Sequence, residues 1–238
     1  MSAHHFTHPD ELATLVVHSP DDVIDFVCGP DRTPEQIARS AVLCELSRDV
    51  DRYNDEILDR LPGGRRVYRG VDQPHASSDH CILKHTKRET PFGIPPYSLQ
   101  LKMGAIVFLL TSIDASIGLY KRVHLQVVLL DDITITCARI GLNGDQSTVE
   151  LHKIQFDCGS FYRNQFPIRL AYVMSMNEAK YLSFDRLGLI ISNRIFAHRA
   201  YIVAMMRFTR KENIRVCSAK TMRAEVWQED DEGYGSPI

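Results

Sequence analysis

At 238 residues the chain has room for one large domain or two modest ones, with a real hydrophobic core. Its 44% apolar and 24% charged residues are the balance of a globular protein, not of a disordered or membrane-embedded one. The formal net charge of −2 gives no global attraction to nucleic acid, so any such binding must come from local basic patches.

No apolar run approaches the roughly 20 residues a membrane-spanning helix needs. One such run, Ala105 to Leu110, suits a buried strand. The N-terminus lacks a basic start followed by an apolar stretch, so no secretory signal is expected. The six cysteines are scattered, without a C-x-x-C pair, which fits a reducing compartment and buried apolar roles rather than zinc. His4, His5 and His8 have the composition of a metal tract, but a solvated terminus is the simpler reading.

In chain order, SPDDVIDFVC (19–28) predicts a helix with Ser19 as N-cap, Pro20 in the first turn and two acids at the positive end of the dipole. Gly29 and Pro30 stop it. TPEQ predicts a second start, with Thr33 as cap and Gln36 completing a capping box. Ala41 to Cys44 is a short buried strand. A longer helix capped by Ser47 follows, with Val50, Tyr53, Ile57, Leu58 and Leu61 at helical spacing, ended by Pro62-Gly63-Gly64.

From about residue 91 the texture changes. The turn cluster PFGIPP precedes SLQLKMGAIVFLL, VHLQVVLL, ITITCARI and TVELHKIQF. These runs are β-branched and often alternating, and turn signals separate them, which predicts a meander of short strands in a small antiparallel barrel or sheet. After Pro167 the α/β texture resumes with strands in IRLAYVM and LGLII, a helix in FAHRAYIVAMMRF and a closing strand in IRV. The acidic end, EVWQEDDEGYGSPI, predicts a disordered tail.

Four stretches, collinear and in order, resemble the C-terminal half of the Pif-one helicase family, the RecD-like 5′→3′ DNA helicases that include the Helitron transposon proteins. SAVLCELSRDVDRYNDEILDRLPG resembles the family's entry into the second motor domain. GIPPYSLQLKMGAIVFLLTSID resembles the opening of its inserted 2B-type domain, FYRNQFPIRLAYVMSMN its return to motif V, and IFAHRAYIVAMMRFTRKENIRV its motif VI. The resemblance covers roughly residues 10 to 218. It implies an α/β, RecA-like second motor domain interrupted by an SH3-like β-barrel. The implied layout is a motor domain at 10–75 and 165–220, an insert at 76–164 and an acidic tail at 221–238.

The implied site residues follow. Arg207 would stabilise charge on the γ-phosphoryl of ATP, since a planar, permanently charged fork suits that role; a surface arginine is the alternative. Asn177 and Ser183 remain from the family's nucleotide-handling loop, in which Lys-Ser-Gln-Gly-Gln-Thr follows an Asn or His. Between them stand Glu178, Ala179, Lys180, Tyr181 and Leu182, so a lysine has become an acid and a glycine a tyrosine. Ser175 belongs to the same segment, which would couple nucleotide state to the DNA track. Lys121 and Arg122, in the remnant of the insert's Gly-Leu-Cys-Asn-Gly-Thr-Arg turn, would contact DNA, or stand in a solvated turn. Arg163 and Gln165 would meet single-stranded DNA by charge and stacking, with the flanking phenylalanines as core in the alternative. Lys84, His85, Lys87 and Arg88 form a further basic run, by default a solvated face, with phosphate contact as the alternative.

No G-x-x-x-x-G-K-[ST] occurs, and none of the thirteen glycines precedes a lysine. Without that loop the chain is not expected to hold Mg-ATP or unwind DNA alone. ATP and Mg²⁺ would enter only with a separate P-loop half. The implied roles are DNA repair, recombination, telomere maintenance or Helitron transposition, in the nucleus or the mitochondrion, with no membrane association. The rival expectation is a non-catalytic single-strand-binding module or a transposon-derived relic.

Overall fold

The computed structural model describes residues 16–75, 87, 90–91, 93–141, 147–179, 182–191 and 211–218. The chain forms two compact units. The first comprises residues 1–32, 39–50 and 173–238, and the second residues 33–38 and 51–172.

The described core of the first unit is a four-stranded parallel sheet. Its strands are β1 (Ser40–Cys44), β12 (Val173–Ser175), β13 (Arg186–Ile191) and β14 (Ile214–Ser218), in the order β12-β1-β13-β14. All five residues of β1 are buried, as a strand covered on both faces requires. One face holds helix α1 (Pro20–Cys28), which buries Val23, Ile24 and Val27. Ser19 caps α1 in a reciprocal box with Asp22. Gly188 lets α1 lie close, because a Cβ there would stand 2.4 Å from a methyl of Val23. On the same sheet a second apolar cluster gathers Ala41, Leu43, Phe184, Leu187, Leu189 and Val216. This is the parallel α/β layer that the RecA-like resemblance implies.

The second unit is antiparallel. Strands β2 (Arg66–Arg69) and β4 (Ser98–Leu101) pair with each other, and β10 (Phe161–Gln165) lies between β3 (Val71–Pro74) and β9 (Ile154–Asp157). A five-stranded sheet runs β11-β5-β6-β7-β8, from β5 (Ile106–Leu109), β6 (His124–Leu130), β7 (Ile135–Arg139), β8 (Thr148–Leu151) and β11 (Ile168–Leu170). The consecutive pairs β5 to β8 are the expected meander. Helix α2 (Pro34–Ala38) belongs here too, with the expected Thr33–Gln36 box formed in both directions.

Helix α3 (Ser47–Arg60) starts at Ser47 itself, one position earlier than a Ser47 cap would give. It lies in the first unit up to Val50 and in the second from Asp51. Tyr53, Ile57 and Leu58 are buried. Its last carbonyls are met by cations: Lys102 Nζ donates to Asp59 O at 3.1 Å and Leu61 O at 2.7 Å, and Arg65 Nη2 to Asp55 O at 2.8 Å. Asp59 O is among the last four helix carbonyls, which have no intrahelical donor, and cations there also meet the negative end of the dipole.

The boundaries correct the expected ones. β2 and β3, expected within a motor segment ending at 75, pair with β4 and β10 of the second unit. IRLAYVM, expected as one strand, is two. β11 pairs antiparallel with β5, and β12 pairs parallel with β1. Hydrophobic pattern shows that a strand exists but not which ladder completes it. The expected helix at 196–208 and the tail lie outside the described residues.

Candidate nucleotide and DNA-binding sites

In a parallel α/β sheet, ligands bind beyond the carboxyl ends of the strands where the strand order reverses. Here β1 is flanked by β12 on one side and β13 on the other, and its last residue, Cys44, pairs with Ser175 and Ile190. The turn that leaves β12 therefore lies at the carboxyl end of the sheet, beside the point where the strand order reverses. Met176 N–H donates to Cys44 O at 3.3 Å, anchoring the start of that turn to β1.

The turn itself is closed by its own side chains. Glu178 Oε2 accepts the Ser175 N–H at 2.7 Å and the Ser175 hydroxyl at 2.9 Å. The Glu178 N–H returns to Ser175 Oγ at 3.3 Å, and Ala179 N–H reaches Ser175 O at 3.1 Å. This is the reciprocal geometry of a capping box. Glu178 is 8% exposed and Ala179 fully buried, whereas Asn177 and Ser183 are exposed. The acid that replaces the family's lysine thus points inward and binds the donors of Ser175. The Ser175-x-x-Glu178 spacing is a legible signal for this role in the sequence.

Arg207, the expected γ-phosphate arginine, lies outside the described residues, as do Lys84, His85, Arg88 and the N-terminal histidines.

In the second unit, Arg163 and Gln165 require a correction. Both are 0% exposed. Arg163 forms a two-pronged ion pair with Asp72, Nε to Oδ1 at 2.8 Å and Nη2 to Oδ2 at 2.9 Å, and its Nη1 donates to Pro95 O at 3.2 Å. Its guanidinium also lies 5.2 Å from the Phe161 ring centre and 5.7 Å from that of Tyr97. Gln165 Nε2 donates to Tyr68 O at 2.9 Å and Tyr97 O at 3.1 Å, while its Oε1 accepts the Phe166 N–H at 3.0 Å. Neither side chain faces solvent. They clamp the Pro95–Tyr97 segment from inside, because a buried guanidinium or amide must find partners for all its donors. Asp72 lies 91 positions away in sequence, so no local pattern announced the pair.

Lys121 is exposed and Arg122 half-buried, at the end of a tight loop between β5 and β6. Arg122 has φ 73°, the only described non-glycine residue in the left-handed region. It sits where the family's turn has a glycine. His124, two residues along, is pushed down to about 4, first by burial and then by the Arg122 charge, and is therefore neutral at physiological pH. Cys137 is pushed up to about 12 by burial, so its thiol is inert. Among the described residues no group of three or more His, Cys, Asp or Glu could hold a metal ion, and no helix is long and apolar enough to cross a membrane.

No family model matches the chain. Among curated proteins it is 28% identical over 192 residues to the ATP-dependent DNA helicase PIF1 of Xenopus laevis, covering 78% of this chain and 29% of the relative. The Danio rerio protein of the same name gives 28% over 178 residues, 73% of this chain and 26% of the relative. Its homologues are Pif1 helicases. Among solved structures, Pif1 helicase from Candida albicans aligns with TM-score 0.63 at 20% identity, over 87% of this chain and 52% of that one. Bacteroides Pif1 bound to single-stranded DNA aligns at 0.55 and 17%, over 88% and 49%. These structural likenesses establish the helicase fold. The chain spans about half the length of the solved Pif1 helicases and under a third of the curated relatives, which fits a C-terminal half.

Proposed function

We propose that this chain supplies the second motor domain and a 2B-type, SH3-like insert of a Pif1-like helicase, one that translocates 5′→3′ on single-stranded DNA. The observation that carries the reading is the homology, which runs collinearly across both units rather than over one. In the assembled enzyme Arg207 would meet the γ-phosphate, Asn177 and Ser183 would border the nucleotide, and Lys121 and Arg122 would contact the DNA backbone. ATP and Mg²⁺ would be held chiefly by a P-loop half, because these 238 residues contain no such loop. The cellular setting this implies is DNA repair, recombination, telomere maintenance or Helitron transposition, in the nucleus or mitochondrion.

One observation favours a second reading, a non-catalytic single-strand-binding module or relic. Glu178 brings negative charge to the turn that follows β12 and binds Ser175's own donors. An anion approaching that turn meets a carboxylate where the family offers a lysine.

The helicase-half and binding-module readings predict weak, salt-sensitive binding to single strands, with a dissociation constant on the order of 10⁻⁴ to 10⁻⁶ M, as for non-specific complexes, whereas a relic predicts none. Titrating a labelled oligonucleotide at two salt concentrations tests this. Affinity undetectable at low salt, or insensitive to salt, would leave only the relic.

A further inference from the structure

The loop between β5 and β6 is a pre-formed platform. Ile113 N–H donates to Leu119 O at 2.9 Å, and Leu119 N–H returns to Asp114 O at 2.8 Å. The Asp114 carboxylate accepts the Ser116 N–H at 2.9 Å and its hydroxyl at 2.6 Å. From β7, Arg139 Nη1 donates to Ile117 O at 2.7 Å. Its guanidinium lies so close to Gly118 that a Cβ there would stand 2.8 Å from Nη2, and Gly118 has φ 76°. Lys121 N–H is held by Ser112 Oγ at 2.9 Å, and Arg122 N–H by Leu109 O at 2.7 Å.

What this scaffold displays is chemically specific. Leu119 is buried at 3% exposure, but its neighbour Tyr120 is 52% exposed, with Ile113 and Ile117 at 44% and 49% in the same loop. Lys121 and Arg122 follow directly. Among the described residues no acid forms an ion pair with either. A left-handed backbone at a non-glycine residue is unfavourable and persists only where its surroundings impose it. An aromatic ring presented to solvent beside two cations fits a ligand with a flat apolar face and an adjoining negative charge. An unstacked nucleotide is that ligand, whereas bases inside a duplex have their faces covered.

We propose that Tyr120 is a base-stacking residue for single-stranded nucleic acid, with Lys121 and Arg122 taking the flanking phosphates. This rests on the single-strand-binding reading above and adds to it a residue that discriminates single from double strands. Lys121 and Arg122 supply attraction to either form, and the Tyr120 ring engages only a base that is free to stack.

The test uses the full chain, a short single strand containing 2-aminopurine, and a duplex of the same sequence. Tyr120→Ala is expected to weaken single-strand binding about tenfold. It should leave the slope of log affinity against log salt unchanged. Tyr120→Phe should bind like the unaltered chain, and both should quench 2-aminopurine emission, which Tyr120→Ala should not. Replacing Lys121 and Arg122 together by alanine should reduce the salt slope by about 2. Duplex binding should be indifferent to Tyr120→Ala. If Tyr120→Ala binds and quenches normally while the double variant loses affinity, the stacking inference fails and the DNA-binding reading stands. If the unaltered chain binds no single strand, both fail.

Discussion

The two units are held together by different means. In the parallel unit every residue of β1 is buried, and apolar contact on both faces of the sheet does the holding. In the antiparallel unit, strands such as β8 and β9 alternate between exposed and covered, and an arginine and a glutamine sit at the centre, fully buried. The first arrangement tolerates change at its rim, since a turn beyond the strand ends can be rewritten without disturbing the sheet. That is where Glu178 stands. The second depends on partners brought from far along the chain, so its critical residues look in sequence like surface chemistry.

Breaking the buried pair is the sharpest probe of that contrast. Arg163→Ala removes the two-pronged cationic partner of the Asp72 carboxylate, whose side chain is 4% exposed, and should cost about 3–5 kcal/mol of stability. Urea denaturation read by hydrogen exchange should show the loss concentrated in residues 51–172. A cost below about 1 kcal/mol, or one shared equally by both units, would show that the polar core is not what holds the antiparallel unit.

A smaller effect sharpens the other side. Gly188→Ala places a methyl 2.4 Å from a Val23 methyl and should destabilise the parallel unit by about 1–3 kcal/mol through overpacking. Val23→Ala in the same chain should recover part of the loss. If the double variant is no better than Gly188→Ala alone, the close approach of α1 is not the cause.

A third probe is a pH dependence confined to the antiparallel unit. His124 titrates near 6.5 when unfolded and near 4 when folded, so on acidification the unfolded chain takes up this proton first. Its contribution is fully present above about 6.5 and is lost as pH falls towards 4. His124→Gln should flatten the stability profile across that window. An unchanged profile would mean that His124 is solvated.

Much of the fold was legible because local chemistry and burial agree. The Ser19 and Thr33 caps, the buried β1 and the meander from β5 to β8 each follow from residues close in sequence. What stayed hidden depended on distant partners. β2 and β3 resemble any short polar-apolar alternation until β4 and β10 claim them. The same holds for the site residues. Asn177 and Ser183 are exposed near the turn that leaves β12, and exposure alone assigns them no ligand. Arg163 and Gln165 share a basic-aromatic run that suits a DNA contact or a core equally, and Asp72 with four backbone carbonyls, from Tyr68, Pro95, Pro96 and Tyr97, reveals the interior role.

The central claim is that these residues keep the architecture of a helicase half without its own ability to hydrolyse ATP. Phosphate release by the purified chain, with and without single-stranded DNA, tests it most directly. The account predicts background turnover, unstimulated by DNA and unchanged in Arg207→Ala. DNA-stimulated turnover that disappears in Arg207→Ala would contradict it.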